Sequence, residues 1–314
     1  MSMKKILVVG GSYFAGRVFV EELAKERNAE IHVFNRGRFP LGMPDVIEHV
    51  GDREDAAQIR AALPAEAWDA VIDFCAYHPA HIETLLANLP GATKRYVFIS
   101  TTTVCRPSRD LPIGEDAAKL DGPQGELGEY ARYGFDKWRA EGALAQACAQ
   151  RGIAYTTLRP AIIYGYYNYA PRETYFFERL YNRQPIVIPE TDLALFSFIW
   201  VGDMARRIIH CLADARTDNE TFNLAAPELV SYGKIVEALG EITGKPIAPV
   251  RLSAAEIERQ RIPLPFPPDQ HLVYSGAKID HLFDIDYTPL RSGLRQALQY
   301  YLMVRRQAAG KASP

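Results

Sequence analysis

The chain has 314 residues, of which 48% are hydrophobic, 24% charged and 11% aromatic. These values are typical of a folded globular protein and exclude the disordered, collagen-like and disulfide-scaffold classes. The formal net charge of -2 disfavours a protein that binds nucleic acid by neutralising its phosphates.

The lengths of the apolar runs and the spacing of the cysteines indicate the cellular compartment of the protein. No run reaches the roughly 18 apolar residues of a membrane helix, and the run at residues 6–9 is too short for the core of a signal peptide. The cysteines lie far apart and include no C-x-x-C pair, which predicts neither a zinc site nor a disulfide framework. They are Cys75, Cys105, Cys148 and Cys211. We therefore expect a cytoplasmic protein without a membrane segment or a metal site.

The first half of the chain alternates short apolar segments with amphipathic ones. Segments rich in β-branched and aromatic residues, without polar alternation, predict strands that are buried on both faces. These strands are predicted at residues 5–9, 31–34, 70–74, 95–100 and 154–159. Helices are predicted at residues 17–27 and 79–88, and before the last strand. The alternation predicts an α/β fold with a doubly wound parallel sheet, the Rossmann arrangement.

The helix before the strand at 154–159 shows one apolar stripe. Its residues follow the i, i+3, i+4 spacing and are Ala140, Ala143, Leu144, Ala147 and Cys148. Gly152 occupies the expected position of a C-terminal cap. Extended backwards, the stripe includes Lys137 and Tyr133, so we expect these two side chains to face the sheet or a site beside it.

The second half of the chain differs from the first in residue composition. It is aromatic-rich at residues 164–181 and proline-dense at residues 262–268, with a predicted strand at 196–201 and a predicted helix at 204–212 between them. We predict that residues 1–165 form the main domain and that residues 192–226 return to it. The remainder of residues 166–314 is predicted to form a second, smaller C-terminal lobe that binds substrate.

A glycine-rich turn follows the first predicted strand. Gly10 and Gly16 bracket it, and Tyr13 occupies the middle position of a G-x-x-G-x-x-G spacing. Such a turn lets backbone amides and a helix N-terminus receive the pyrophosphate of a dinucleotide. The alternative is an ordinary tight turn, but its place after the first strand of an alternating chain favours a dinucleotide site.

The end of the second predicted strand bears on the choice of cofactor. An acidic residue there would bind the ribose hydroxyls of NAD, whereas this chain has Asn35, followed by Arg36 and Arg38. Two guanidinium groups can pair with a 2′-phosphate, which favours NADP over NAD. A solvated basic loop is the alternative. Asp52, after a third short strand, is a candidate acceptor for the adenine amino group, although a plain turn fits its spacing equally well.

Two further motifs carry candidate catalytic residues. Tyr133 and Lys137 are spaced i, i+4 and so are adjacent on one helical face, where an ammonium group can favour the phenolate form of the tyrosine. Ser100 and Thr101 begin where the predicted strand at 95–100 ends, the edge at which open α/β sheets bind ligands. The alternatives are that Tyr133 and Lys137 share a helical face by chance, and that the hydroxyls at 100–101 only hydrogen-bond the backbone of their own turn. The histidines at 78 and 81 lack a third ligand, so no metal site is predicted.

Together the motifs resemble the extended and atypical short-chain dehydrogenase/reductases, the NAD(P)-dependent epimerase/dehydratase family. The similarity runs almost end to end. It is carried by the turn at 10–16, Gly51-Asp52, Ser100-Thr101 with Val104, Tyr133 with Lys137, Leu158-Arg159-Pro160 with Tyr164-Gly165, and residues 198–203.

The resemblance implies roles for individual residues. In that family the tyrosine is the acid/base, the lysine holds the nicotinamide ribose and lowers the pKa of the tyrosine, and a serine or threonine positions the reacting oxygen. The matching residues are Tyr133, Lys137 and Thr101. The expected cofactor is NADP or NAD, with NADP favoured. Its predicted site comprises Gly10, Ser12, Tyr13, Phe14, Gly16, Asn35, Arg36, Arg38, Asp52, Arg53, Cys75, Ala76, Ser100, Lys137, Arg159, Pro160 and Ile162.

Two departures from the family pattern bear on the substrate and the branch. Tyr13 replaces the usual middle glycine, which looks more like the atypical branch that includes the chloroplast stem-loop RNA-binding proteins. Phe196 occupies the position at which UDP-sugar epimerases usually carry an arginine, and Trp200 replaces their histidine. These replacements argue against a UDP-sugar substrate unless another arginine, such as Arg251, binds the diphosphate instead.

We predict an NAD(P)-dependent oxidoreductase or epimerase that acts on a secondary alcohol or ketone of a small molecule, with a nucleotide sugar among the candidates. Thr102 and Thr103 stand where some dehydratases have a carboxylate, which argues against that branch. The alternative is a non-catalytic NAD(P)-binding or RNA-binding regulatory member. The net charge disfavours a nucleic-acid partner, and a homodimer is one expected assembly.

Overall fold

The computed structural model describes residues 4–311. Its strands are β1 (Lys4–Val9), β2 (Ala29–Asn35), β3 (Val46–Val50), β4 (Glu66–Trp68), β5 (Ala70–Asp73), β6 (Gly91–Thr93), β7 (Arg95–Ile99), β8 (Ala154–Pro160), β9 (Ile162–Tyr164), β10 (Val187–Pro189), β11 (Phe196–Trp200), β12 (Glu220–Leu224), β13 (Leu229–Val230) and β14 (Val250–Leu252).

The helices alternate with these strands through most of the chain. They are α1 (Phe14–Lys25), α2 (Ala56–Ala62), α3 (Pro79–Asn88), α4 (Tyr133–Arg151), α5 (Glu173–Tyr181), α6 (Val201–Cys211), α7 (Tyr232–Thr243), α8 (Ala254–Gln260), α9 (Ala277–Asp280) and α10 (Leu290–Lys311). Short 3₁₀ turns lie at Thr102–Val104, Gly125–Tyr130 and Ala215–Thr217. Within residues 4–311, no helix has the length and hydropathy needed to cross a membrane.

Seven parallel strands form the central sheet in the order β12-β8-β7-β5-β1-β2-β3. Each strand predicted between residues 5 and 159 is present and lies in this sheet. The order grows outward in both directions from the centre, which is the topology of a doubly wound fold. The predicted fold class is therefore confirmed.

Both faces of this sheet are covered, which explains why its strands have no polar alternation. Ile6 and Val8 pack on the face that carries α1 and α6, while Leu7 and Val9 pack on the face that carries α3 and α4. Successive side chains of a strand point to opposite faces, so a strand between two helical layers needs apolar residues throughout.

Helix α4 begins at Tyr133 and ends where Gly152 adopts a left-handed conformation with φ of 65°. A left-handed residue is the usual C-terminal cap, and glycine adopts it without steric cost. Because α4 follows β7 and precedes the parallel strand β8, its first turn lies at the carboxyl edge of the sheet. Tyr133 and Lys137 are therefore delivered to the edge at which ligands of such sheets bind.

In the second half of the chain, the pairing of the strands does not follow their order in the sequence. The strand predicted at 196–201 forms as β11, but it pairs with β9 and β13 in a separate three-stranded sheet. The strand that joins the central sheet is β12, which pairs with β8. The proline-dense segment at 262–268 contains neither helix nor strand.

Candidate functional site

The predicted site residues converge on the carboxyl edge of the central sheet. The glycine turn follows β1, Asn35 ends β2, residues 52–53 follow β3, and residues 75–76 follow β5. Residues 100–101 follow β7, and residues 159–160 end β8. Because all these strands are parallel, segments that are far apart in the sequence end at one edge. Ile162 begins β9, just beyond this edge, and is half-buried.

The glycine turn packs tightly against helix α1. A Cβ atom on Gly16 would lie 2.5 Å from the carbonyl oxygen of Gly10, and Gly10 itself has a φ of 83°. Both positions therefore require glycine. Helix α1 has no acidic residue in its first turn and no side-chain cap, so its N-terminal amides are available to an anion. Ser12 is buried within the same turn.

The glycine turn accommodates the side chain of Tyr13 because the ring is directed outward. Its backbone is extended, with φ of -144°, so glycine is not needed here. The ring stacks on Phe39 with centroids 4.7 Å apart and on Tyr169 with centroids 5.5 Å apart. We call this set of three rings the aromatic stack. It joins the glycine turn to the loop after β2 and to the loop after β9, although Tyr13 remains 41% exposed.

Asn35 has one polar group without a protein partner. Its Oδ1 accepts a hydrogen bond from the amide of Gly37 at 2.6 Å, while its buried Nδ2 has no partner within the described part of the chain. Arg36 and Arg38 are exposed on the same loop. The carboxylate of Asp52 accepts from the amide of Glu54 at 3.0 Å and so stabilises its own turn.

Tyr133 stands at the cleft beside Thr101. Its ring is 39% exposed and lies 6.5 Å, centroid to centroid, from the ring of Tyr77. Desolvation by the surrounding protein raises the pKa of Tyr133 above its ordinary value, and the nearby Thr101 hydroxyl and the charge of Arg172 offset that rise only in part. Thr101 is itself buried, and its hydroxyl lies 3.0 Å from that of Thr103. The structure thus brings the predicted acid/base and the predicted oxygen-positioning residue together.

Lys137 is buried one helical turn further along α4. It is 2% exposed, and its Nζ donates to the carbonyl oxygen of Ile99 at 2.7 Å. The ammonium group lies 4.8 Å from the Phe98 ring centroid and 5.1 Å from that of Tyr77. Among residues 4–311 no carboxylate lies within ion-pair distance of it. Burial lowers the pKa of Lys137 to about 8, although the charges of Asp73 and Cys75 oppose that shift.

A buried polar network lies beneath the glycine turn. The carboxylate of Asp73 is fully buried and accepts from Arg53 Nη1 at 2.6 Å, from the Tyr96 hydroxyl at 2.5 Å and from the amide of Cys75 at 3.0 Å. Burial raises the pKa of Asp73, but the Arg53 charge and these hydrogen bonds outweigh it, so the carboxyl stays ionised. Arg53 was a predicted cofactor contact, whereas its guanidinium is directed into this network.

Arg159 is likewise directed away from the cleft. Its Nε and Nη2 donate to the two carboxylate oxygens of Glu141 at 3.0 and 2.6 Å, and both side chains are buried. The Ser100 hydroxyl donates to the same carboxylate at 2.5 Å. Removing one partner of a buried pair costs about 3–5 kcal/mol, so this contact fixes α4 against β7 and β8. Ser100 and Arg159 thereby position α4, and Ala76 and Pro160 are buried as well.

Sequence reasoning missed several residues of the site. Glu141 continues the Tyr133 and Lys137 spacing by one more turn, a signal that was available in the sequence. Asp73 is a carboxylate at the end of an apolar strand, and that is also a detectable signal. Tyr169 and Arg172 reach the cleft from the second half of the chain, and no local pattern indicates that approach.

The aromatic residue at position 196 fills the place in which an arginine is usual in UDP-sugar epimerases. Phe196 is buried, and its ring centroid lies 5.0 Å from that of Phe266 and 5.8 Å from that of Tyr232. Arg251 is exposed on β14 and donates to the carbonyl oxygen of Glu190 at 3.4 Å. This region is therefore an apolar cluster.

The residues present fit a dinucleotide. The glycine turn offers uncapped amides for a pyrophosphate, the orphaned Nδ2 of Asn35 can donate to a ribose or phosphate oxygen, and Lys137 has donors free for ribose hydroxyls. Within residues 4–311, no cluster of histidine, cysteine or acidic residues has the geometry of a metal site.

Comparison with known proteins agrees with a dinucleotide site. Residues 6–225 match the NAD-dependent epimerase/dehydratase family. The chain belongs to that family. As a member of the NAD-dependent epimerase/dehydratase family it is an NAD(P)-dependent enzyme by descent, and the predicted resemblance is confirmed.

Individual members of the family differ in what their names say they do. The chain is 28% identical over 297 residues to the Arabidopsis thaliana chloroplast stem-loop binding protein of 41 kDa b, which covers 90% of this chain and 74% of that protein. It is 30% identical over 174 residues to the UDP-glucose 4-epimerase of Lactobacillus helveticus, 49% of this chain and 50% of that one. The solved Thermotoga maritima UDP-glucose 4-epimerase shares its fold, with a TM-score of 0.76, 19% identity and coverage of 96% of this chain and 99% of that chain.

Replacing Lys137 by Met should stabilise the protein in a pH-dependent way. The pKa of Lys137 is about 8, below the value of 10.5 for an exposed lysine, so between these values the unfolded state binds more protons than the native state and stability rises with pH. At pH 7 Lys137→Met should therefore raise the free energy of unfolding by about 1–3 kcal/mol, the upper value being the full shift at 1.36 kcal/mol per pKa unit. Denaturant unfolding at several pH values measures this.

The gain should shrink as the pH rises from 8 towards 10, because the native ammonium then loses its proton. Lys25→Met is the matched control, since Lys25 is exposed and forms a surface ion pair with Glu22, and its effect should stay within about 0.5 kcal/mol. A Lys137→Met effect that is independent of pH would contradict the assignment of a destabilised ammonium.

Replacing Tyr13 by Ala should accelerate the release of bound NADPH. The substitution removes both stacking contacts of the aromatic stack, each worth roughly 0.5–1.5 kcal/mol, so we expect about a 10-fold faster dissociation. Stopped-flow displacement followed by nicotinamide fluorescence measures the rate. Tyr13→Phe keeps the ring and should release the cofactor at the rate of the unaltered protein; equal rates for Tyr13→Ala would show that the stack does not cover the cofactor.

Proposed function

We propose that the protein catalyses an NAD(P)-dependent reaction at a secondary alcohol or ketone of a small molecule, as an epimerase or an oxidoreductase. The observation that carries the proposal is the juxtaposition at the start of α4. Tyr133 lies at the cleft close to Thr101, and the ammonium of Lys137 is buried one helical turn further along α4. Family relatives named as UDP-glucose 4-epimerases support a sugar substrate.

Each of these residues has a distinct proposed role. Tyr133 takes the proton of the substrate hydroxyl, and Thr101 holds the same oxygen in place. A bound nicotinamide would supply the hydride acceptor and donor for the substrate carbon. Lys137 stabilises the phenolate form of Tyr133 by its positive charge and binds the ribose. When the carbon is reduced again, Tyr133 returns the proton to the ketone oxygen, and hydride delivery to the opposite face of that carbon would invert its configuration.

The cofactor residues form a second part of the proposal. We propose that the amides of the turn from Gly10 to Gly16 bind the pyrophosphate and that Asn35, Arg36 and Arg38 bind the adenosine end, with NADP preferred. Arg53 and Arg159 act as positioning residues. Residues 1–165 with 192–226 then form the cofactor domain, and the rest of residues 166–314 form the substrate lobe. Homodimer formation and a cytoplasmic location stay predictions.

RNA binding is the alternative function, and the relationship to the A. thaliana stem-loop binding protein is the observation that favours it. The net charge of -2 and the retained Tyr133, Lys137 and Thr101 favour chemistry instead. Titration of a stem-loop RNA at about 50 and 200 mM salt decides between them, because phosphate-driven binding falls steeply over that range. Submicromolar binding that depends on salt, without turnover on any substrate, would favour the RNA-binding alternative.

Cofactor preference should depend on the loop after β2. We expect tighter binding of NADP(H) than of NAD(H), and Arg36→Ala should weaken NADP(H) binding about 10-fold while leaving NAD(H) unchanged, because a charge-assisted bond to the 2′-phosphate is lost. Fluorescence titration with both cofactors measures this. Arg295→Ala, which removes an exposed arginine on α10, is the control. Equal weakening of both cofactors by Arg36→Ala would indicate a non-specific basic loop.

Tyr133→Phe should abolish most of the turnover and keep the fold. The ring remains while the hydroxyl is lost, so cofactor binding should survive and the rate should fall about 10²–10⁴-fold. A panel of nucleotide sugars and hydroxy ketones, followed by nicotinamide absorbance and product NMR, supplies the assay. Thr101→Val should lower the rate with little change in cofactor affinity. Full activity of Tyr133→Phe would disprove the proposed acid/base.

A further inference from the structure

Tyr77 lies in the loop between β5 and α3, at the carboxyl edge of the central sheet. Its backbone amide donates to Nδ1 of His81, a buried residue of α3, at 3.0 Å. The other ring nitrogen of His81 lies 3.1 Å from the carboxylate of Glu54, and Arg53 Nη2 donates to the His81 carbonyl oxygen at 2.7 Å. These hydrogen bonds fix the backbone of Tyr77 relative to the polar network beneath the glycine turn.

The ring of Tyr77 covers the ammonium group of Lys137. Nζ lies over the Tyr77 ring, 5.1 Å from its centroid, and over the Phe98 ring, 4.8 Å from its centroid. Phe98 is fully buried whereas Tyr77 is 46% exposed, so Phe98 bounds the ammonium on the core side and Tyr77 bounds it on the side of the cleft. The Tyr77 ring also neighbours that of Tyr133, with centroids 6.5 Å apart. One side chain thus adjoins both the proposed acid/base and its cationic partner.

A neutral ring stabilises the ammonium in a way that a carboxylate could not. In the described part of the chain no carboxylate lies within ion-pair distance of Lys137, and the carbonyl oxygen of Ile99 accepts one of its three N–H groups. A cation over an aromatic face is attracted by the ring quadrupole, and the attraction strengthens as the pair is desolvated. The ring carries no net charge, so the positive field of the ammonium still acts on Tyr133, whereas a carboxylate would cancel most of that field.

The other influences on the ammonium act in both directions. Burial, the largest of them, lowers the pKa of Lys137 to about 8. Four charged or titratable groups also act on it, and they are Asp73, Cys75, Arg53 and Glu141. The guanidinium among them disfavours the ammonium, and the other three favour it. Burial also raises the pKa of Tyr77, so its hydroxyl stays neutral while Lys137 titrates, and Tyr77 acts on Lys137 through its ring face.

We propose that Tyr77 is a positioning residue of the site: its ring face holds the ammonium of Lys137 in place and stabilises the charge without neutralising it. This inference rests on the proposed function, because the ammonium serves that function through its effect on Tyr133. The sequence prediction ended one residue earlier, at Ala76. Because the contribution comes from the ring face, a ring of nearly the same size with a weaker quadrupole should stabilise the ammonium less.

The experiment changes the electron density of the ring at position 77 and leaves its size nearly unchanged. Tyr77→Phe is compared with phenylalanines that carry three and five ring fluorines, introduced at the same position of the full-length protein by amber suppression. The pKa of Lys137 is read by NMR from protein labelled with ¹³C at the lysine ε carbon, and Lys137→Met assigns the signal. From Tyr77→Phe to the fully fluorinated ring, the pKa should fall stepwise by roughly 0.5–1 unit in total. Tyr77→Phe itself should differ little from the unaltered protein, since it keeps the ring face.

The same rings at position 130 are the matched control, because Tyr130 is exposed on the 3₁₀ turn before α4 and should leave the pKa of Lys137 unchanged. In a turnover assay, the pH at which activity declines as Lys137 deprotonates should move down by the same interval as the pKa. An identical Lys137 pKa for all three rings at position 77, or an equal fall at position 130, would overturn the inference. A stepwise fall in a protein whose turnover survives Tyr133→Phe would uphold the contact and overturn the proposed function instead.

Discussion

The buried ammonium of Lys137, which has no ion-pair partner within residues 4–311, is the constraint on which the rest of the site depends. Lys137 is held by one carbonyl oxygen and two aromatic faces, and a buried charge is tolerated only where the surrounding dipoles and charges compensate it. Asp73 supplies the largest opposing charge effect at a distance. Asp73 in turn stays ionised because Arg53 and two further donors hold it. The polar groups under the cleft thus depend on one another.

The same constraint explains why two predicted cofactor contacts point elsewhere. The helix that carries Lys137 must be held firmly, and Glu141 on its next turn provides the anchor through Arg159 and Ser100. Arginine at the end of β8 and arginine after β3 therefore serve the scaffold. Their positions at the carboxyl edge of the sheet are correct, but position along a strand does not reveal which way a long side chain turns.

Local patterns in the sequence were sufficient for the central sheet and for the face of α4. A strand buried on both sides has an unmistakable composition, and a helix that packs on it has a 3.6-residue stripe. Pairing between distant segments left no such trace. The strand β12 is half polar and its neighbour is β8, while β11 matches the predicted strand but pairs outside the main sheet. Tyr169 and Arg172 lie in the loop after β9, which the buried carboxylate of Glu173 anchors by accepting from the amide of Gly165 and from Asn168 Nδ2.

The aromatic stack makes three distant positions of the chain interdependent. Phe39, Tyr13 and Tyr169 come from three separate segments, and Tyr13 is the central ring that both neighbours contact. The energetic value of either outer ring therefore depends on the central one, as expected for residues in direct contact. Substitutions at these positions should therefore be correlated, because glycine at position 13 would remove the stacking partner of Phe39 and leave Tyr169 with its edge contact to Phe14. A loop grafted from a relative that has glycine at the position of Tyr13 would bring only some of the three rings, and the aromatic stack would not form.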